Sequence, residues 1–450
     1  MRLAFGTDGV RGIANSELSP ELALALGRAA ARILGRQAFL IGRDTRISGP
    51  MLQAAFSAGL ASEGADVVDL GVIPTPGVAC LAASRGLPAA VISASHNPFE
   101  DNGVKLLGAG GTKLDEDTER TVEEELTAVL TGTIGHSRPP AGDRVGRVSA
   151  DPSGGEEYRA ALMATLEGRS LDGLRVVLDC ANGAASAYGR AVFEAAGTQV
   201  TTLADLPDGL NINAGCGSTH PEALMKKVVE VGADAGLAFD GDADRVVAVT
   251  AAGELLDGDQ LMAIFALDLR ERGLLAGNTV AVTILSNLGF KLAMADAGVG
   301  VHETPVGDRH LSVALESHGW VLGGEQSGHI MFRHLASTGD GMLTGLQLLD
   351  LMKRQDRSLG DLAGSAMVRM PQLMRNVRVA DRSRLNEAAS VWAAVSEVER
   401  DLAGQGRVVL RASGTEPLVR VMVEARDHAV AEAAVSRLCD VVAEALGAAP

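Results

Sequence analysis

The chain has 450 residues, too many for one hydrophobic core, and at roughly 100–200 residues per domain the length points to two to four domains. Apolar residues make up 46% and charged residues 22%, which excludes a disordered chain. The net charge of −17 excludes a protein that binds nucleic acid or an anionic membrane through a broadly positive surface.

Strand and helix signals alternate along most of the chain. Ser19-Pro20 opens a helix, with a capping residue followed by Pro in the first turn, and Gly35 closes it. The apolar run Ala38–Ile41 reads as a buried strand, followed by a helix over about Pro50–Ser62, a strand at Asp66–Leu70, a helix from Pro76 and a second buried run at Ala89–Ile92. This βαβ rhythm implies mainly parallel sheet covered by helices. Pro139–Gly155 is rich in Pro and Gly and reads as a linker.

The rhythm then resets. Strand Arg175–Leu178, a helix over Ala184–Ala196, strand Gln199–Leu203, a helix after Pro221 and strand Ala235–Phe239 form a second unit. A third begins near Asp257, with helix Gln260–Leu269, strand Thr279–Thr283, helix Phe290–Ala297 and strand Val301–Thr304. After Met370 the order becomes strand, helix, strands and a last Ala-rich helix, a small α+β module. The expected fold class is α/β: three βαβ-type domains with mixed, mainly parallel sheets at 1–150, 151–252 and 253–368, then a C-terminal α+β domain at 369–450. The similar strand–helix order of the three units suggests structural repetition.

Four cysteines lie far apart without a CxxC pair, so they form neither a disulfide framework nor a zinc site. The start has no signal-peptide core, and no run of 18 apolar residues occurs, so a soluble, cytoplasmic protein is expected. Only six of the 40 basic residues are Lys, so any single Arg is weak evidence for phosphate binding.

Four loops carry chemistry. Ser93-Ala94-Ser95-His96-Asn97-Pro98 follows the strand Ala89–Ile92, at the carboxyl end where ligands of open α/β sheets gather. Asp101-Asn102-Gly103 reads as a second turn leading into Val104-Lys105-Leu106. The serines could equally cap a turn, and Ser95 beside His96 is no dyad by adjacency.

In Asp240-Gly241-Asp242-Ala243-Asp244-Arg245, three carboxylates alternate in a turn between two apolar strands. Clustered carboxylates repel, and a divalent cation with oxygen ligands relieves the repulsion. The sixth and twelfth positions of an EF-hand loop need Gly and Glu; here they are Arg245 and Ala251, so that reading fails. Three oxygens suit Mg²⁺, which keeps positions for water or phosphate, and Arg245 adds a fork for a further oxygen.

Gly323-Gly324-Glu325-Gln326-Ser327-Gly328-His329 follows an expected strand at Trp320–Leu322. It groups an acid, an amide, a hydroxyl and an imidazole able to bind sugar hydroxyls, with a plain polar turn as the alternative. Arg411-Ala412-Ser413-Gly414-Thr415-Glu416-Pro417, with Arg420 nearby, is an anion nest that lacks the Walker Lys, and phosphomonoester binding is the expected use. Gly6–Gly12, with Arg11, and Gly42-Arg43-Asp44-Thr45-Arg46 are weaker candidates.

Together and in this order, the loops resemble the α-D-phosphohexomutase family over the whole chain: S-A-S-H-N-P, D-G-D-x-D-R, G-E-x-S-G-H and R-x-S-G-T-E-P. The opening F-G-T-D-G-V-R-G, the segment Asn211–His220 and Gln326 resemble its bacterial members that act on amino sugars. The resemblance implies four domains around a central cleft and interconversion of glucosamine 6-phosphate and glucosamine 1-phosphate, toward UDP-N-acetylglucosamine and cell-wall precursors.

By the same resemblance, a phosphorylated Ser95 gives and recovers the phosphoryl group through glucosamine 1,6-bisphosphate. Asp240, Asp242 and Asp244 hold Mg²⁺ with a phosphate oxygen on Ser95. Glu325 and Ser327 bind the sugar. Arg411, Ser413, Gly414, Thr415 and Arg420 hold the phosphate that is not transferred, and Arg11, Lys105, Arg245 and His329 act near the transferring group. The partner is a small-molecule phosphosugar, with no nucleic acid or membrane, and a homodimer is suggested. The same chemistry on glucose or mannose phosphates, a metal phosphatase that hydrolyses its phosphoserine, and a non-catalytic sensor are the other readings.

Overall fold

The computed structural model describes residues 9–133, 140–413 and 417–447. The first run of elements is β1 (Val10–Ile13), α1 (Pro20–Leu34), β2 (Phe39–Arg43), α2 (Gly49–Ser62), β3 (Val67–Val72), α3 (Thr75–Arg85), β4 (Ala89–Ile92), β5 (Asp101–Leu107), α4 (Glu116–Thr131) and β6 (Val148–Ala150). Its six strands lie in the order β1-β5-β4-β2-β3-β6. The pairs β4/β2, β2/β3 and β3/β6 are parallel, while β5 runs antiparallel to both β1 and β4.

Local chemistry accounts for the first helix. Ser19 Oγ accepts from Leu22 N at 3.3 Å, Pro20 sits in the first turn, and Gly35 ends the helix at φ 106°. Two expectations need correction. Asp101-Asn102-Gly103 is not a turn but the start of β5, because it pairs with Ile13, Gly12 and Arg11 of β1. The stretch 139–155 is not all linker, since Val148–Ala150 pairs with Val67–Asp69 as an edge strand and a helix begins at Gly154.

The second run is α5 (Gly154–Ala164), β7 (Arg175–Asp179), α6 (Gly189–Ala195), β8 (Gln199–Leu203), α7 (Glu222–Val231), β9 (Ala235–Phe239), β10 (Val246–Thr250) and β11 (Leu255–Leu256), with strand order β11-β10-β9-β7-β8. The single helix expected over Ala184–Ala196 is broken. A 3-10 turn at Ala184–Ala187 and α6 meet at Tyr188, whose φ of −125° is not helical. β9 and β10 are buried at every position, which explains their unbroken apolar sequence.

The third run is α8 (Gly258–Glu271), β12 (Thr279–Thr283), α9 (Leu288–Asp296), β13 (Gly300–Thr304), α10 (Asp308–His318), β14 (Leu322–Gly324), β15 (Ile330–Phe332), α11 (Gly341–Gln355) and α12 (Leu359–Ala366). The strand expected at Trp320–Leu322 starts two residues later, set by the parallel pairing of Gly323 and Gly324 with Ala281 and Val282. The last run is β16 (Gln372–Arg378), α13 (Ala389–Asp401), β17 (Gly406–Ala412), β18 (Leu418–Ala425) and α14 (His428–Leu446), an antiparallel sheet of order β16-β18-β17. The α/β class with mixed sheets and a C-terminal α+β module is therefore the observed one.

Contacts divide the chain into two units, Met1–Thr283 with His302–Ser365, and Ile284–Val301 with Ala366–Pro450. Within the second unit, α9 is tied to the C-terminal sheet. Arg407 Nη1 donates to Ile284 O at 2.7 Å, Leu288 N donates to Glu424 Oε2 at 3.0 Å, and Asn287 Nδ2 donates to Met370 O at 2.9 Å. None of the four cysteines forms a disulfide, and no described helix is long and apolar enough to cross a membrane.

In the first unit, α1 and α2 cross at glycines. A Cβ on Gly27 would lie 2.2 Å from Phe56 O, and one on Gly59 would lie 2.2 Å from Leu24 O. Backbone cannot rotate aside as a side chain can. Gly27→Ala should therefore destabilise the protein by about 1–3 kcal/mol even after a helix-propensity gain of about 1 kcal/mol. A urea midpoint equal to or above that of the parent would contradict this.

Candidate active site

Four loops leave the carboxyl ends of strands in the first unit: 44–46 after β2, 93–98 after β4, 240–245 after β9 and 325–329 after β14. Parallel strands expose their last carbonyls there, and the loops beyond them are free to converge.

Asp240, Asp242 and Asp244 are 1%, 0% and 7% exposed, and each offers a carboxylate oxygen within 4.8 Å of the others. The turn bends at Ala243, which adopts φ 56°. Lys105 Nζ and Thr75 Oγ1 each donate to Asp242 Oδ2 at 2.6 Å. Lys105 Nζ also lies 3.8 Å from Asp244 Oδ2, and Arg245 Nε lies 3.8 Å from Asp244 Oδ1. The Oδ1 atoms of Asp242 and Asp244 are buried without a hydrogen-bond partner among the described residues.

The three acids respond unequally to being crowded together. Burial, then the charges of Asp244 and Asp242, push Asp240 well above the usual carboxylate range. Burial opposes ionisation of Asp244 too, but Lys105, His329 and Arg245 outweigh it and hold Asp244 well below that range.

Ser95 meets this cluster. Its Oγ donates to Asp240 Oδ2 at 2.6 Å, in a residue only 1% exposed and held at φ 54°, a left-handed conformation costly for a side chain with a Cβ. Ser93, its companion in sequence, does act as a structural serine. Ser93 Oγ donates to Asp44 Oδ2 at 2.7 Å and accepts from Ser95 N at 2.9 Å.

The first unit thus brings together Ser95, the three aspartates, Lys105, Arg245 and His329. The His329 ring, 2% exposed, lies with Nδ1 3.7 Å from Asp244 Oδ2 and Nε2 3.7 Å from Asp308 Oδ2. Burial disfavours its cation, but Asp244, then Asp308 and Glu325, hold its pKa up to about 9. Arg11, on β1, is cross-strand from Gly103. Glu325 accepts from Gly307 N at 3.1 Å and from Ser327 Oγ at 3.3 Å. Within this loop, Gln326 Nε2 donates to Asp257 Oδ2, the cap of α8, at 3.4 Å.

In the second unit, Arg411 and Arg420 are directly opposite on β17 and β18. Burial, then the charge of Arg420, lower the Arg411 pKa, and Arg420 Nε is buried without a hydrogen-bond partner among the described residues. Two like charges face to face are destabilising unless an anion lies between or near them. Ser413 N donates to Leu418 O at 2.9 Å, and Arg382 Nη1 donates to Ser413 O. Gly414 and Thr415 lie outside the described residues.

Sequence reasoning missed several contributors. Thr75 opens α3 and reads as an ordinary helix start. His96 Nδ1 lies 3.1 Å from Arg245 Nη1 and 3.4 Å from Ser95 Oγ, a meeting that only the fold creates. Burial, then Arg245 and Arg11, bring His96 down to about 4, so it is neutral and its Nδ1 accepts from Arg245. Arg46 and Asn213 both donate to carbonyls of the serine loop; Arg46 had a visible signal, its place just after the first buried strand.

Comparison with known proteins follows the same division of the chain. Phosphoglucomutase/phosphomannomutase family models match as α/β/α domain I at residues 2–131, domain II at 156–253, domain III at 257–370 and the C-terminal domain at 374–441. The chain is 51% identical over 446 residues to a phosphoglucosamine mutase of Rhodococcus jostii, covering 98% of this chain and 99% of the relative. It is 52% identical over 451 residues to a phosphoglucosamine mutase of Nocardioides sp., covering 98% of this chain and 99% of the relative. Among solved structures it resembles a phosphoglucomutase/phosphomannomutase family protein of Burkholderia thailandensis, with TM-score 0.79, 23% identity and coverage of 99% of this chain and 98% of that one. It also resembles Aspergillus fumigatus N-acetylphosphoglucosamine mutase in complex with GlcNAc-6P and magnesium, with TM-score 0.67, 18% identity and coverage of 99% and 96%. The chain belongs to the phosphoglucomutase/phosphomannomutase family.

Buried His329 and half-buried His96 give opposite pH signatures in the metal-free protein. His96 lies below its ordinary 6.5, so its contribution to stability is full above pH 6.5 and is lost as pH falls toward about 4. His329 lies above 6.5, so its contribution is full below pH 6.5 and is lost as pH rises through about 9. NMR titration of the imidazole carbons should find one ring neutral at pH 6 and another still protonated at pH 8; both rings titrating near 6.5 would contradict the geometry.

Proposed function

We propose that the chain interconverts glucosamine 6-phosphate and glucosamine 1-phosphate, the activity its relatives' name describes, in the cytoplasm on the route to UDP-N-acetylglucosamine. The single observation that carries this reading is Ser95 Oγ donating to Asp240 Oδ2 at 2.6 Å inside a buried aspartate triplet. A hydroxyl destined to carry a phosphoryl group needs such a charge-neutralising partner beside it, since phosphoryl transfer depends mainly on placement and electrostatics.

The donor set suits Mg²⁺. Three carboxylates are hard oxygen ligands, and the buried Oδ1 atoms of Asp242 and Asp244 have no hydrogen-bond partner among the described residues. Asp240, Asp242 and Asp244 would hold the ion together with a phosphate oxygen on Ser95, and it would neutralise negative charge on that phosphoryl group.

The remaining residues divide the work. Phosphorylated Ser95 gives its phosphoryl group to the free hydroxyl of the sugar phosphate, forming glucosamine 1,6-bisphosphate, and recovers the other phosphate once that intermediate has turned end for end. Lys105, Arg245 and Arg11 supply positive charge around the transferring oxygens. His329, held protonated by Asp244 and Asp308, is the proton donor on the sugar-loop side. Glu325 and Ser327 accept and donate to the sugar hydroxyls. Arg411, Ser413, Gly414, Thr415 and Arg420 hold the phosphate that is not being transferred, a role supported by the facing guanidiniums of Arg411 and Arg420. These roles follow domains at 1–150 (phosphoserine loop), 151–252 (metal loop), 253–368 (sugar loop) and 369–450 (phosphate grip), in a protein expected to act as a homodimer.

Intact-mass and peptide mass spectrometry should find one phosphoryl group on Ser95, removed by substrate. Ser95→Ala should lower turnover by at least about a thousandfold. Turnover of the Ser95→Ala variant at near-parent rate would overturn the assignment of the nucleophile. In a coupled assay, kcat/KM for glucosamine 6-phosphate should exceed that for glucose 6-phosphate by about tenfold or more. Equal or better use of glucose 6-phosphate would move the substrate assignment, and release of inorganic phosphate without isomerised sugar would favour a phosphatase.

A further inference from the structure

Arg46 is the largest fully buried side chain among the described residues, and its guanidinium meets the serine loop and the first residue of β5. Nε donates to Asp44 Oδ2 at 2.9 Å. Nη1 donates to Asp101 O at 3.0 Å and to Pro98 O, and Nη2 donates to Ser95 O and to Asn97 O at 2.8 Å each. A guanidinium has five N–H donors, and here every one has an acceptor, four of them main-chain carbonyls between Ser95 and Asp101, at the start of β5. Asn213 Nδ2 approaches the same loop, donating to Ser95 O at 2.9 Å and Asn97 O at 3.0 Å.

We infer that Arg46, assisted by Asn213, is the positioning residue for Ser95: the two side chains grip the Ser95–Asp101 loop by its carbonyls and keep the Ser95 hydroxyl on Asp240. The inference rests on the reading of Ser95 as the phosphoryl carrier. Three features support it. Ser95 has φ 54°, a conformation that persists only where its surroundings over-determine it, and its carbonyl, like that of Asn97, is held by both Arg46 and Asn213. A trans peptide unit points its C=O and N–H in opposite directions, so fixing the Ser95 carbonyl also fixes the His96 N–H.

The grip is also referenced to the segment that carries the aspartates. Thr45 Oγ1 donates to Asn182 O at 2.6 Å, and Ile47 N donates to Gly209 O at 2.9 Å, on either side of Arg46. Asn213 N donates to Ala181 O at 2.9 Å. Arg46 is thereby tied to the second run of elements as well as to the serine loop. Finally, a buried Arg–Asp pair is weak evidence for a stability role, since a well-packed apolar replacement is often as stable. The four carbonyls are what demand a cation with this shape.

The test compares Asn213→Ala and Arg46→Lys with the parent. Asn213→Ala removes one donor group shared by two carbonyls; Arg46→Lys keeps the charge but has three donors for five acceptors. For Asn213→Ala, kcat should fall by about 10–100-fold with KM within about twofold, because placement of the nucleophile and not substrate binding is disturbed. Phosphorylation of Ser95 by glucosamine 1,6-bisphosphate, followed by intact mass, should slow by the same factor, and amides of residues 95–102 should exchange faster. Arg46→Lys should lose more than Asn213→Ala on each reading. A kcat unchanged in Asn213→Ala, or a fall matched by lost folded protein or by a raised KM, would overturn the positioning role. If Arg46→Lys does not fold, Asn213→Ala decides. If the parent itself has no mutase turnover, the functional reading fails instead, and amide exchange still judges the grip: unchanged exchange over 95–102 in Asn213→Ala overturns it.

Discussion

Three carboxylates buried within one five-residue turn are the constraint around which the first unit is built. Unscreened by water, their mutual repulsion is strong, and no single group removes it. The fold answers with one cation from each of several elements: Lys105 from β5, Arg245 from the turn itself, and His329 from the loop between β14 and β15. Ser95 Oγ and Thr75 Oγ1 add hydrogen bonds. What remains unanswered is as informative as what is answered. Two buried Oδ1 atoms without a hydrogen bond among the described residues leave a residual demand that a divalent cation would meet.

The same constraint explains why the site is assembled from several runs of the chain. A cluster of charges can be placed only where strands end and loops are free, and each sheet of the first unit contributes its loops at the carboxyl ends of its strands. Repetition of the strand–helix unit supplies similar platforms, and the loops carry the differences. The second unit follows another rule. Its antiparallel sheet sets Arg411 and Arg420 directly opposite each other, a repulsion that a nearby anion would relieve.

Much of this was legible in the residues, because the signals were of the kind that survive without tertiary context. Fully apolar runs such as Ala89–Ile92 and Ala235–Phe239 mark buried strands, and the aspartate spacing declares a site, since alternate carboxylates have no place in a core. What escaped depended on neighbours distant in sequence. Asp101-Asn102-Gly103 has turn composition but is drawn into β5 by pairing with β1, whose own sequence has little strand character. Val148–Ala150 is an exposed edge strand, readable only from its partner. The contact of Gln326 with the acidic cap of α8 likewise joins residues distant in sequence. Arg46 was visible only as part of a weak candidate segment after the first buried strand, and the five acceptors the fold brings to it could not be read from that segment.

That scarcity of Lys gives position 105 its meaning. With 34 Arg to six Lys in the chain, an ammonium rather than a guanidinium on the aspartates is selective. Arg engages a carboxylate through a rigid fork that spans both oxygens. On Asp242 such a fork would occupy Oδ1 as well as Oδ2 and leave the site closed to a metal. The compact Lys105 ammonium takes Oδ2 of Asp242 at 2.6 Å and reaches toward Oδ2 of Asp244 at 3.8 Å, neutralising charge without engaging either Oδ1 atom. The fork is used elsewhere, where saturation is the object: on Arg46, whose five donors close a loop that has to be held still. The ammonium leaves carboxylate oxygens open, whereas the guanidinium places every donor on an acceptor, one of them the carbonyl of Ser95.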